Sequence, residues 1–353
     1  MMGSIIDTDL HNVVPNVKAL FPFLSDHWRE YVTQSAFQGP VDTSYPKGYP
    51  TTARPGTNPP EGGPPGSSLG TLRKQALDAW NAEFGILNCG YAIESIHNPD
   101  SAAAIASAVN DWQIHEWLEE EPRLRASIVV PSQQPEMAAK EIDRVGQHPG
   151  FVQVYLPVHS SIPYGNRHFH PIFEAAVRHD LVVGMHFGGS PGNPSTSSGW
   201  PSYYIEDHVN QAQMFQSQLL SVIVEGVFDR FPSLRMALIE AGFTWLPSFF
   251  WRMDKEWKGL RREIPWTRQL PSEYIKQHVR MSIQPVDPPA DLHQLRDVID
   301  QIDCEELLMF STDYPHWHFD TPTEAFPITL PDPQMRKIMS ENARSFYKLS
   351  GAA

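Results

Sequence analysis

The chain has too few cysteines to be built around them. Two among 353 residues, Cys89 and Cys304, cannot make a disulfide framework or a cysteine-rich zinc module. Both read most simply as small apolar packing residues. Cationic residues are also in short supply: 27 Lys and Arg stand against 41 Asp and Glu, a formal charge of −14. An acidic surface offers no electrostatic footprint for DNA, RNA or an anionic membrane. No stretch approaches 18 uninterrupted apolar residues, so no spanning helix is expected. Met1 to Asp9 lacks the basic and apolar regions of a secretory leader. No Gly-x-Gly-x-x-Gly follows the first apolar strand, which leaves a dinucleotide-binding fold without support. These absences predict a cytoplasmic protein that handles a small molecule, with neither nucleic acid nor membrane as partner.

What is present is core-forming residue and potential ligand. Hydrophobic residues make up 41%, enough for one TIM-type barrel or two ordinary domains. Fifteen histidines and 41 carboxylates leave metal chemistry open.

Short apolar strands alternate with helical sequence along the chain. Strands are expected at Ser4–Asp9, Gly85–Asn88, Arg125–Pro131, Phe151–Leu156, Leu181–His186, Leu234–Glu240, Val279–Ile283 and Glu306–Phe310. Helices are expected at Leu72–Phe84, Ala102–Glu119, Pro135–Gln147, Phe169–His179, Glu206–Asp229, Trp245–Leu260, Leu292–Ile302 and Asp332–Leu349. Such alternation argues for a parallel sheet covered by helices. Eight repeats favour closure into a (β/α)8 barrel over an open sheet. The whole chain, 1–353, is therefore expected to be one barrel domain. Between Gly39 and Gly66 stand eight prolines and six glycines. Such a stretch makes neither helix nor central strand, and is expected to be a flap inserted after the first strand.

In a barrel the chemistry sits at the C-terminal ends of the strands. Strand one ends in Asp9-Leu10-His11, strand five in His186, strand six in Glu240 and strand eight in Ser311-Thr312-Asp313. Asp9 and His11 are two apart on extended chain, so they share a face. Joined by His186 and Asp313 they make a mixed nitrogen and oxygen donor set. Such a set suits a divalent ion, Zn2+ first, with Mn2+ or Fe2+ as alternatives. The loop after strand eight also carries Tyr314, His316, Trp317 and His318. The loop from Gly188 to Tyr204, with Trp200 in it, is placed to cover the site. His115 and His208 fall within helices and read as structural, and His168 and His170 as caps or surface residues.

These residues resemble the amidohydrolase-related family, in the branch of aminocarboxymuconate semialdehyde decarboxylase, γ-resorcylate decarboxylase and related lactone hydrolases. The resemblance runs from strand one to Asn342-Ala343-Arg344. It implies that His11, His186 and Asp313 ligate the metal, with Asp9 in the first place of the family's His-x-His or Glu-x-His pair. It implies that Asp313 also handles protons, on a metal-bound water or on the substrate. It further implies a homodimer in which Arg252, on the Trp245–Leu260 helix, crosses to a substrate carboxylate. The aromatic group Trp245, Phe249, Phe250 and Trp251 is expected to lie exposed at that interface. Substrate contacts are expected from Arg252, Trp200, Tyr314 and His316. Glu240 departs from the pattern, standing where the family usually has a histidine in a His-Gly-Gly segment. A buried glutamate serves as a general acid but not as a cationic electrophile. The expectation is therefore a metal-dependent hydrolase of an ester, lactone or amide bond, with Asp313 and Glu240 as catalytic residues. The alternative is a metal-dependent, non-oxidative decarboxylase of an aromatic or unsaturated acid.

Overall fold

The structure is a computed structural model, and residues 4–40, 46, 52–189, 194, 196–316 and 324–350 are described. Eight parallel strands follow one another around a barrel: β1 (Ile5–Leu10), β2 (Ala82–Leu87), β3 (Leu124–Val129), β4 (Phe151–Pro157), β5 (Val182–His186), β6 (Arg235–Ile239), β7 (Val279–Ser282) and β8 (Leu308–Met309). Each pairs with the next, and helices fill the connections, as the alternation predicts. β8 is very short, so closure onto β1 uses the residues after it. The Thr8 N–H donates to the Phe310 carbonyl at 3.0 Å and the His11 N–H to the Tyr314 carbonyl at 2.8 Å. Among the described residues, no helix is long and apolar enough to cross a membrane.

Two apolar layers hold the barrel. Outward-facing strand residues pack beneath the helices in one large cluster. A second cluster joins Ile6, Phe84, Ile86, Val182, Ala237, Ile239 and Met309 to Phe346 and Tyr347 of the terminal Asn342–Tyr347 helix. That helix plugs the end of the barrel opposite the expected site. Arg235 donates to the Phe346 carbonyl, and the Arg280 guanidinium lies 5.4 Å from the Phe346 ring centre, a cation–π contact.

Several boundaries differ from the periodicity, for local reasons. Helical geometry over Leu69–Leu72 and Arg73–Asp78 stops well short of Phe84. Asn81, at a φ of 50°, turns the chain into β2 at Ala82. The single helix expected over Glu206–Asp229 is two, Tyr204–Val224 and Val227–Arg230. Gly226 separates them at a φ of 72°. A Cβ there would also meet Trp266 Cδ1 at 2.4 Å, so glycine is required twice over. The helix Pro271–His278 was not anticipated, although a proline in the first turn signals such a start.

The exposed aromatic group is corrected as well. Of the four, only Trp251, on the Leu246–Leu260 helix, stands well exposed, at 61%. Phe250 is buried, while Trp245 and Phe249 lean on the core. A helix turns about 100° per residue, so neighbouring aromatics cannot all face outward. The Pro/Gly stretch meets the barrel mouth where it is described. Ala53 bridges antiparallel to His316, the Arg54 N–H donates to the Pro315 carbonyl at 2.8 Å, and Val13 N–H to the Gly66 carbonyl at 3.0 Å.

Gly184 on β5 leaves room for Gln153 to cross the barrel interior, since an added Cβ would lie 2.3 Å from Gln153 Cδ. Gly184→Ala is expected to cost about 1–3 kcal/mol through overpacking, read as a lower urea midpoint. Gly259→Ala, on an exposed helical turn with nothing within 4 Å, is expected to gain about 0.5–1 kcal/mol. Equal midpoints for the two variants would contradict this account of the interior.

Candidate functional site

The strand ends deliver the expected residues to the barrel mouth. Ile6 lies in the inner apolar cluster, and strict alternation would turn Asp9, three residues on, the other way. A register irregularity between Asp7 and Leu10 changes the parity, so Asp9 and His11 face the mouth together. His186 is the last residue of β5. Glu240 and Asp313 follow β6 and β8 at φ values of 60° and 58°, which non-glycine residues adopt uncommonly. Supports hold both: the Glu240 N–H donates to Ser282 Oγ at 2.9 Å. The Asp7 carboxylate accepts from Thr312 N at 3.1 Å and Thr312 Oγ1 at 2.6 Å. This clasp ties β1 to the chain just before Asp313. Burial pushes the Asp7 carboxyl up to about 7, against the lowering effect of the Thr312 bonds.

His11 Nε2 lies 2.9 Å from Asp313 Oδ1 and 3.6 Å from Asp9 Oδ1. His186 Nε2 lies 3.2 Å from Asp9 Oδ1. The other ring nitrogen, Nδ1, is 2.8 Å from the Phe187 carbonyl. A carbonyl only accepts, so Nδ1 carries a proton; the protonated ring donates from Nε2 to Asp9 as well, and loss of that second proton frees Nε2 for a cation. Glu240 Oε2 approaches on the Nδ1 side, at 3.8 Å. His316 Nδ1 is 2.7 Å from Asp313 Oδ1, and its ring centre is 4.7 Å from that of His11.

The expected quartet thus falls into two overlapping groups that share His11. Asp9, His11, His186 and Glu240 form one, and His11, Asp313 and His316 the other; ligand atoms within each lie inside 4.8 Å. Glu240 therefore comes closer to the ligand-capable side chains than its assignment as a separate acid implies. Asp9 Oδ2 is buried with no hydrogen-bond partner, at a cost of about 1–3 kcal/mol if nothing answers it. Its sister oxygen lies within 3.6 Å of the Nε2 atoms of His11 and His186, and a carboxylate among such imidazole donors fits a divalent cation.

The charges follow from burial. Desolvation lowers the His11 imidazole. It also opposes protonation of His186 and His316, but neighbouring carboxylates outweigh it. Asp9 brings His186 up to about 9, and Asp313 brings His316 up to about 10. Burial, reinforced by the charge of Asp313, pushes Glu240 up to about 8. Without a cation the cluster stores protons, which a divalent ion would displace.

The remaining candidates separate. Tyr314 is 4% exposed, packs in the core and donates its hydroxyl to Gln75 Oε1 at 2.8 Å. Its side chain is packed away from solvent, and its backbone carbonyl holds His11 through the 2.8 Å bond from the His11 N–H. Trp200 stands half exposed. Arg252 is exposed on its helix with Glu256 as electrostatic neighbour, while Asp254 is engaged by Ser272. Trp317, His318 and part of the 188–204 loop lie outside the described residues. Cys89 is buried and Cys304 half-buried. Asn88, one residue past β2, was missed. Its side chain donates to Asp9 Oδ1 at 2.9 Å, and the strand-end criterion applied to β2 would have found it. Tyr155, within β4, was also missed; its ring lies 5.4 Å from that of His186, and nothing in its local sequence marks it.

Mn2+ or Zn2+ is expected to raise the melting temperature of chelator-stripped protein, by about 2.7 kcal/mol of stabilisation at 100 times Kd. Asp9→Ala and His186→Ala are expected to abolish the rise. No shift with either ion at millimolar concentration would remove the metal from this site.

Comparison with known proteins places the whole chain in a family. The chain is 26% identical over 300 residues to a γ-resorcylate decarboxylase from Rhizobium, covering 79% of this chain and 87% of the relative. A γ-resorcylate decarboxylase from Polaromonas is 25% identical over 293 residues, with the same coverage. The fold resembles the crystal structure of 5-carboxyvanillate decarboxylase from Novosphingobium aromaticivorans complexed with manganese and 4-hydroxy-3-methoxy-5-nitrobenzoic acid. That likeness has a TM-score of 0.71 at 19% identity and covers 98% of this chain and 96% of the other. Residues 6–349 match the family model described as amidohydrolase, and the chain belongs to that family.

Proposed function

We propose that this protein is a metal-dependent, non-oxidative decarboxylase of a hydroxylated aromatic acid. The observation that carries the reading is His316. Glu240 stands where the relatives' branch usually has a histidine, and that gap made hydrolysis the first expectation. The loop after β8 supplies an imidazole to the cluster instead, 2.7 Å from Asp313. The similarity to γ-resorcylate decarboxylases supports the same choice over hydrolysis. The proposed ligands are Asp9, His11, His186 and Asp313, with Glu240 outside them on the Nδ1 side of His186. Mn2+ is the preferred ion, in place of Zn2+, since decarboxylases of this fold are described with manganese.

Held by Asp9, His11, His186 and Asp313, a divalent ion would supply Lewis acidity toward the oxygens of an acidic substrate. The chain's residues manage the proton. Asp313 faces the mouth and delivers a proton to the ring carbon that bears the carboxylate. His316, bonded to the same Asp313 oxygen, restores that proton. The carbon–carbon bond then breaks, its electrons return to the ring and CO2 leaves. Glu240, buried and uncharged when protonated, donates to the departing carboxylate oxygen without adding negative charge beside it.

The test is CO2 release from 2,6-dihydroxybenzoate and a panel of other hydroxybenzoates, beside a panel of lactones and esters. The metal-loaded protein is expected to release CO2 and leave the lactones intact. His316→Gln is expected to reduce turnover by about 10²–10⁴-fold, and Glu240→Leu, which removes the donor that a glutamine would keep, by about 10²-fold, each with bound metal unchanged. Lactone or ester hydrolysis without CO2 would restore the hydrolytic reading.

A further inference from the structure

The geometry points to a buried polar column, Tyr347–Gln153–Ser127–Asn88, that positions the Asp9 carboxylate for its cation. The inference rests on the metal-dependent reading above. Asn88 Nδ2 donates to the Thr8 carbonyl at 3.2 Å and to Asp9 Oδ1 at 2.9 Å. The Thr8 carbonyl only accepts, so the Asn88 amide has one orientation. Its oxygen then accepts from Ser127 Oγ at 2.7 Å and Gln153 Nε2 at 3.0 Å. Gln153 Nε2 also donates to Ser127 Oγ at 2.8 Å. Gln153 Oε1 is thereby left to accept the Tyr347 hydroxyl at 2.8 Å.

Every bond in the column runs in one direction, and neither amide can flip alone without setting like against like: a flipped Gln153 turns its oxygen on Asn88 Oδ1, and a flipped Asn88 turns its oxygen on Asp9 and Thr8. Asn88, Ser127 and Gln153 are wholly buried and Tyr347 is 5% exposed. Bulk solvent does not reach these groups, so partial satisfaction would be costly and full satisfaction rigid. The column begins on the helix that plugs the bottom of the barrel and crosses the interior through Gln153 of β4, Ser127 of β3 and Asn88. It ends on Asp9 Oδ1, and the partnerless oxygen is Oδ2. Holding Oδ1 stops rotation of the carboxylate and leaves Oδ2 directed to the ion. These four are positioning residues; they touch neither ion nor substrate.

The experiment measures Mn2+ affinity of the purified protein by chelator competition, and the visible d–d bands of its Co2+ form. Asn88→Ala is expected to weaken Mn2+ binding by about 10–100-fold, the usual effect of losing a partner that orients a ligand. Tyr347→Phe keeps the ring in the inner cluster and removes one hydroxyl, so it tests the column in a folded barrel. About fivefold weaker binding and shifted Co2+ bands are expected of it. The control is Tyr164→Phe, which loses one buried hydrogen bond, to the Pro157 carbonyl at 2.9 Å, outside the column. It is expected to leave both readouts unchanged. Wild-type affinity and unshifted bands in Tyr347→Phe overturn the column, as does an equal change in Tyr164→Phe. Failure of the unmodified protein to bind Mn2+ or Co2+ overturns the metal-dependent reading instead.

Discussion

A carboxylate buried at the mouth of a closed barrel is costly unless charge and hydrogen bonds answer it. Asp9 is wholly buried, and much of the surrounding structure answers that one group. Asn88 bonds one oxygen, His186 approaches it at 3.2 Å and His11 at 3.6 Å. The second oxygen has no protein partner. A divalent cation is the simplest group to complete the balance, and its proposed ligands are the side chains that Asp9 has drawn around it.

The closure of the barrel serves the same end. β8 supplies only two residues of regular strand, so the sheet alone does not position Asp313. The Asp7–Thr312 clasp and the backbone bonds from Thr8 and His11 to Phe310 and Tyr314 join the first and last strands. Asp9 and Asp313, 304 positions apart in the chain, come to flank His11 through that closure. The described part of the Pro/Gly stretch is tied to the same loop, through the Ala53–His316 bridge. Apart from that bridge, residues 52–66 have no regular secondary structure of their own.

Glu240 and His316 both belong to the clusters at the mouth. Glu240 comes from the chain just after β6, and His316, three residues beyond Asp313, brings an imidazole from the loop after β8. The reading changes from hydrolysis toward decarboxylation because function follows the groups present at the reacting centre, whichever strand supplies them.

The amino-acid sequence by itself determined the (β/α)8 architecture. Apolar strands and amphipathic helices obey short-range periodicities of 2 and 3.6, and those are visible in a single chain. It also named the mouth residues: Asp9, His11, His186, Glu240 and Asp313, because strand ends are readable and polar residues there stand out, and His316, though as a substrate contact beside Tyr314. Tertiary structure alone decided the rest. Whether Glu240 stands beside the ligand-capable side chains depends on the positive φ that turns it after β6. His316 enters the cluster, while Tyr314 two residues earlier is turned into the core, and only the path of the loop separates them. Asn88, Ser127, Gln153 and Tyr347 come from four elements far apart in sequence, and hydrogen bonds across a barrel interior follow no local period. That is why a column of neutral side chains under the site left no trace in the sequence pattern.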